Sequence, residues 1–90
     1  MELNHHDLTL KYETCQLYNN ITKDSIFITD AERKFLKLLL EQQLVSEAAI
    51  KEETSWNTIP ASISRLRNKL ENLNINTKIV NINKVGYRLD

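Results

Sequence analysis

The sequence of 90 residues predicts a single α+β domain, with an N-terminal antiparallel sheet of three strands, three helices and a C-terminal β-hairpin. Three observations predict this fold class. Apolar and polar residues alternate near the start of the chain, apolar residues then recur at helical spacing to about residue 73, and alternation returns after residue 77. A chain of this length buries one core, so residues 1–90 are expected to form one domain.

The first third of the chain predicts the sheet. Short apolar runs are separated by turn-forming residues such as Asn19, Asn20, Lys23 and Asp24, and the runs are Leu8 to Tyr12, Cys15 to Tyr18 and Ser25 to Ile28. Cys15 is the only cysteine. It falls within a predicted strand, so we expect a small buried apolar side chain there.

His5 and His6 precede these predicted strands. Two adjacent histidines without a third ligand rarely form a metal site, so we expect a flexible start. No metal or cofactor is expected, and the single glycine excludes a glycine-rich phosphate loop. No nucleophile, base and orienting group recur at a readable spacing, so the sequence predicts that the protein is not an enzyme.

Thr29 marks the start of the first predicted helix. Thr29 and Glu32 have the spacing of a capping box, and the helix is expected to reach about Gln43 with an apolar stripe of Phe35, Leu36, Leu39 and Leu40. Ser46 can cap a second short helix, with Ala49 and Ile50 facing inward. The stretch "EETSWN" at 52–57 is expected to end it, with Trp56 in a packing role.

The third helix is predicted over residues 58–73. Pro60 is compatible with it, since proline is tolerated in the first turn of a helix. Its apolar stripe is Ile59, Ile63, Leu66, Leu70 and Leu73, and the opposite face carries Ala61, Arg65, Asn68 and Asn72. Arg67 lies at the margin of the stripe. Two roles remain open for it, an ion pair with a first-helix carboxylate such as Glu32, or a ligand for phosphate.

Residues 77–90 predict a β-hairpin that turns at Asn83 and Lys84, just before Gly86. Tyr87 is interpreted as a packed aromatic. Charge is also uneven along the chain, although the formal net charge is zero. Residues 58–90 carry six Lys and Arg against two Asp and Glu, whereas residues 1–57 carry six against ten. This asymmetry favours a protein that binds a polyanion with one face.

Four short stretches together resemble a known family. They are "ITDAERKFLKLLL" at 28–40, "LVS" at 44–46, "ISRLRNKL" at 63–70 and "VGYRL" at 85–89. In this order and at these spacings, the chain resembles the winged-helix DNA-binding effector domain of the OmpR/PhoB type, the output domain of bacterial two-component response regulators. The resemblance implies a winged helix-turn-helix fold in which the C-terminal β-hairpin is the wing.

The resemblance also implies how this chain would bind DNA. The recognition helix, residues 58–73, would enter the major groove, and the wing, residues 77–90, would lie on the minor groove or the backbone. Arg65 and Asn68 can reach base edges. The side chains suited to phosphate are Thr58, Ser62, Ser64, Arg67 and Lys69 on the helix, with Lys84 and Arg88 on the wing.

The family also implies a setting for the domain. The expected partners are double-stranded DNA, RNA polymerase, a second copy of the chain on DNA, and a receiver domain that these 90 residues do not contain. No membrane partner is expected, and the expected localisation is cytoplasmic. The loop before the recognition helix, which in the family is implicated in touching RNA polymerase, is short here. A winged-helix module that binds proteins and not DNA is the alternative function.

Overall fold

A computed structural model describes residues 1–90 and confirms the α+β class, with one strand more than predicted. None of its helices has the length and apolar character needed to cross a membrane. The elements in chain order are β1 (Glu2–His5), β2 (Leu8–Lys11), β3 (Gln16–Asn19), β4 (Ser25–Phe27), α1 (Asp30–Glu41), α2 (Glu47–Thr54), α3 (Ile59–Asn72), β5 (Ile79–Ile82) and β6 (Gly86–Leu89).

The N-terminal sheet has four antiparallel strands in the order β1-β2-β3-β4. The prediction of three strands was wrong because β1 is a polar edge strand, in which Leu3 is the only aliphatic residue. It is held by pairing with β2, where Leu3 lies opposite Leu10 and His5 opposite Leu8. His5 therefore belongs to the sheet, and the expected flexible start was also wrong.

Cys15 lies in the turn between β2 and β3. The prediction that it belongs to a strand was wrong. Its φ is 53°, and its side chain is half-buried. Its backbone N–H donates to the Tyr12 carbonyl at 3.2 Å, and its carbonyl accepts from the Ile28 N–H at 2.9 Å. The backbone of Cys15 thus shapes this turn and joins it to the residue that follows β4.

The predicted starts of the first two helices are confirmed. Thr29 and Glu32 form the capping box at the start of α1, and the Ser46 hydroxyl accepts from the Ala49 N–H at 3.2 Å at the start of α2. The second helix also ends within the stretch 52–57, as expected. The Thr54 hydroxyl donates to the Ile50 carbonyl at 2.7 Å, and the helix ends at Ser55 in the left-handed conformation. Only residues 55–58 connect α2 to α3.

The core consists of 17 buried side chains drawn from the N-terminal sheet, all three helices, the hairpin and the segments that connect them. Phe35 of α1 is fully buried, and its ring lies 5.4 Å from that of Trp56 and 6.4 Å from that of Tyr87. The packing roles expected for both aromatic residues are confirmed. Phe35 thereby links the α2–α3 connection to the hairpin.

Strand β6 of the hairpin is bound, close to the turn, to the segment between α1 and α2. The Val45 N–H donates to the Tyr87 carbonyl at 2.9 Å, and the Tyr87 N–H donates to the Val45 carbonyl at 2.8 Å. Gly86 lies beside this pair, where a Cβ atom would be 2.1 Å from the Val45 carbonyl oxygen. Glycine is therefore required at residue 86 by the close approach of two backbone segments.

We expect Gly86→Ala to lower the free energy of unfolding by on the order of 3 kcal/mol, because the added methyl group must displace the Val45 segment. Urea unfolding followed by circular dichroism measures this change. Val85→Ala is the matched control, since Val85 is the exposed neighbour and should change stability by less than about 1 kcal/mol. Equal losses in the two variants would contradict the steric explanation.

Candidate nucleic-acid interface

Helix α3 buries its apolar stripe and presents a polar face to solvent. The stripe residues Ile59, Ile63, Leu66 and Leu70 are all buried. Thr58 is the N-cap residue, yet its hydroxyl makes no capping hydrogen bond and remains exposed. We call four exposed polar residues the recognition face, and they are the N-cap residue Thr58 and the helix residues Ser64, Arg65 and Asn68.

Arg65 points into solvent from the middle of the recognition face. One of its terminal nitrogens donates to the Ser62 hydroxyl at 3.3 Å. A guanidinium group carries five N–H donors, so most of its hydrogen-bonding capacity stays free. Ser62 itself is only 5 % exposed, so the structure separates it from the recognition face with which the sequence had grouped it.

Lys69 forms an ion pair with α1. Its ammonium nitrogen lies 2.6 Å from Oε1 of Glu32, whose side chain is only 6 % exposed. The same oxygen accepts from the Thr29 N–H at 2.9 Å, which completes the capping box. Of the two roles left open for Arg67, the ion pair with Glu32 is therefore wrong, because Lys69 is the cation that pairs with this carboxylate.

Arg67 lies on the other flank of α3 and holds the hairpin. Its Nε and Nη2 atoms both donate to the carbonyl of Ile79, at 3.2 and 2.8 Å. Ile79 is the first residue of β5, so this contact fixes the start of the wing relative to the recognition helix. Arg67 thus has a structural role, with a backbone carbonyl as its partner.

The two predicted cations of the hairpin lie in different places. Lys84 is exposed at the turn, residues 83–85, with a φ of 61° and no ion pair. Arg88 lies on β6 near the end of the chain, with a terminal nitrogen 4.0 Å from an oxygen of Asp90. It lines a cavity with Leu39 and Gln42 of the α1 end, away from the turn.

Two open clefts flank the start of α2. The wing cleft, about 470 Å³, separates the α2 start from the hairpin turn and is lined by Ser46, Glu47, Asn83 and Lys84 among others. The helix cleft, about 400 Å³, separates α2 from the α3 start and is lined by Glu47, Lys51, Asn57 and Thr58 among others. Sequence reasoning missed the α2 residues, since only the packing of α2 shows that they face these clefts.

We expect Arg67→Lys to lower the free energy of unfolding by about 1 to 2 kcal/mol, since lysine keeps the charge but loses the paired donors. Thermal and urea unfolding measure the loss. Arg65→Lys is the matched control on the same helix, and it should change stability by less than about 0.5 kcal/mol. A loss as large for Arg65→Lys would show that the Ile79 contact is not what stabilises the wild type.

Comparison with known proteins identifies a similar fold. No family model matches the sequence, and no curated protein sequence matches it. Among solved structures, the chain is similar to the DNA-binding domain of the response regulator AdeR, solved in complex with an intercistronic region. The two chains are 23 % identical over 97 % of each, with a TM-score of 0.80. The chain therefore has the fold of a response-regulator DNA-binding domain, as its resemblance to the OmpR/PhoB type predicted.

Proposed function

We propose that the protein binds double-stranded DNA in a sequence-specific manner as a bacterial transcription regulator of the OmpR/PhoB type. The observation that carries the proposal is the recognition face, an exposed polar surface on α3 beside a wing with a free lysine at its turn. The similar AdeR domain was solved in complex with an intercistronic region. A regulator of bacterial transcription acts in the cytoplasm, so the expected localisation follows from this function.

The chemistry of the recognition face suits base readout. Arg65 and Asn68 are three residues apart, so they project from the same side of the helix, and both are exposed. Arginine can donate paired hydrogen bonds to guanine, and asparagine can bond adenine through paired contacts in the major groove. Thr58 and Ser64 lie beside them with hydroxyl groups suited to phosphate oxygens. This division supports contacts to both bases and backbone.

Three of the predicted contacts are occupied or covered within the protein. Ser62 is buried, Arg67 donates to Ile79 and Lys69 is paired with Glu32. We propose that Arg67 and Lys69 position the helix, and that Arg65 and Lys84 supply the cations for DNA. Arg88 would reach phosphate only on the far side of the hairpin, where Asp90 competes for it.

A winged-helix module that binds proteins remains the second candidate. The connection between α2 and α3 is limited to residues 55–58, and the formal net charge is zero. Both observations are compatible with such a module. RNA polymerase and a receiver domain are proposed partners under the first function. For both functions we propose a role in binding and not in catalysis.

Selection from a pool of random duplexes tests the proposed function and identifies the site. A selected duplex should bind more tightly than an unrelated one, with an affinity that falls steeply as salt increases. The double variant Arg65→Ala/Asn68→Ala should lose this preference while remaining folded. No binding to any duplex at low salt would refute the proposal and favour the protein-binding module.

Arg65→Ala should weaken binding to the selected site by about 1 to 3 kcal/mol, because the paired contact to one guanine is lost. Titration against duplexes with each base changed in turn locates the loss, which should fall at a single position. Arg65→Lys keeps the charge and should lose the same base preference. Unchanged affinity and preference would remove Arg65 from base readout.

Lys84→Ala should weaken binding similarly across sequences and reduce the salt slope by about one unit, as expected for one phosphate contact. Lys23→Ala is the matched control, since Lys23 is also an exposed lysine with a positive φ but lies in the turn between β3 and β4. It should leave affinity and slope unchanged. A loss confined to one target sequence would contradict a phosphate role for Lys84.

One recognition helix and one wing read few base pairs, so we propose that two copies bind DNA together. A monomer in solution is expected, with half-sites roughly 10 to 11 base pairs apart. Sedimentation without DNA, and titration against duplexes with one and two half-sites, measure this. A stable free dimer, or full affinity for a single half-site, would contradict the assembly and leave the fold unaffected.

A further inference from the structure

Glu47 occupies a position on the proposed interface that its charge makes unfavourable for DNA. It is the first residue of α2, is exposed, and lines both the wing cleft and the helix cleft. It therefore lies between Lys84 of the hairpin turn and Thr58 at the start of α3. A DNA backbone that reached both of these residues would pass the Glu47 carboxylate.

No cation neutralises Glu47 directly. The ion pairs of the protein involve other carboxylates, and the Glu47 side chain makes no hydrogen bond. Lys51 lies one turn further along α2 and lines the helix cleft with it, but the two groups are not within ion-pair distance. The negative charge of Glu47 thus remains available to act on a ligand in either cleft.

The Glu47 carboxylate also influences Tyr87 of β6. Burial raises the pKa of the Tyr87 phenol, and the Glu47 carboxylate adds to this increase, whereas Arg67 opposes it. Tyr87 belongs to β6 and pairs with Val45. This influence agrees with the position of Glu47 beside the hairpin, where it lines the wing cleft.

We propose that Glu47 weakens binding to every DNA duplex by repelling phosphates in the two clefts, so that stable binding depends on the base contacts of the recognition face. This inference rests on the proposed function. A carboxylate repels each phosphate regardless of the base attached to it, so the effect is uniform across sequences. Salt screens it, since two exposed charges separated by more than about 10 Å interact weakly at 0.1 M ionic strength.

A competing explanation assigns Glu47 to the helix alone. A negative side chain in the first turn of a helix is favourable because it interacts with the free N–H groups there. That explanation predicts a lower thermal midpoint on neutralisation and no change in DNA affinity. The two explanations therefore differ in a measurable way.

The test is a titration of the wild type and Glu47→Gln against a selected duplex and an unrelated duplex. At an ionic strength of about 0.05 M, the variant should bind both about threefold to tenfold more tightly, and the gain should shrink as salt increases. Glu52→Gln is the matched control, since Glu52 lies on the same helix, is exposed and lines neither cleft. It should give less than half of this gain. Glu47→Asp keeps the charge and should bind like the wild type.

The other outcomes overturn the inference. A gain no larger than that of Glu52→Gln would leave Glu47 with its helical role only. A loss confined to duplexes with one particular base pair would show instead that the carboxylate accepts a hydrogen bond from cytosine. If the wild type binds DNA and Glu47→Gln binds equally well, the proposed function stands and this inference fails. If neither binds any duplex, both fail.

Discussion

The buried carboxylate of Glu32 joins the start of α1 to α3, and the arrangement of the proposed interface depends on it. One of its oxygens accepts from both the Thr29 N–H and the Lys69 ammonium. Loss of the Lys69 ammonium would leave the Glu32 carboxylate, which is only 6 % exposed, without a cation, and an uncompensated buried charge is destabilising. The carboxylate therefore caps the start of α1 and orients α3, and the direction of the recognition face follows from that orientation.

The three cations of "ISRLRNKL" have three different roles. Lys69 binds α1 on one flank of α3, and Arg67 binds the first carbonyl of β5 on the other. Only Arg65, between these flanks, is exposed. A positively charged stretch of sequence thus becomes mainly a means of fixing the helix between its neighbours. The recognition face is therefore less basic than the three cations of this stretch indicate. Under the proposed function, contacts to bases would supply much of the discrimination between DNA sequences.

Much of the fold could be predicted because its signals are local. The capping residues Thr29 and Ser46 and the apolar stripe of α3 depend only on neighbours within a few residues. Strand β1 could not be predicted in this way, since a polar edge strand is specified by its pairing partner. The finding that Lys69 pairs with Glu32, where the sequence had suggested Arg67, has a similar cause. Both lie at margins of the stripe, and which margin faces α1 depends on how the helices cross, which periodicity does not encode.

The candidate site was predictable in its centre and not at its edges. Arg65 and Asn68 lie opposite the apolar stripe, so helical periodicity alone places them on the exposed face. Glu47 and Asn57 face the same side only because α2 packs beside α3 and the hairpin. Their position in these clefts is a property of the tertiary structure, and no spacing in the sequence indicates it.

The pairing of Val45 with Tyr87 also determines where the hairpin can deform. Two backbone hydrogen bonds anchor one end of β6 to the chain between α1 and α2, and Arg67 anchors the start of β5. The hairpin is therefore held at both ends, at the first residue of β5 and one residue after Gly86 closes the turn, and only the tip at residues 83–85 extends beyond these contacts. If the hairpin lies on a DNA groove, as we propose, grooves of different width would be met by bending at this tip, with little change in the angle between the hairpin and α3.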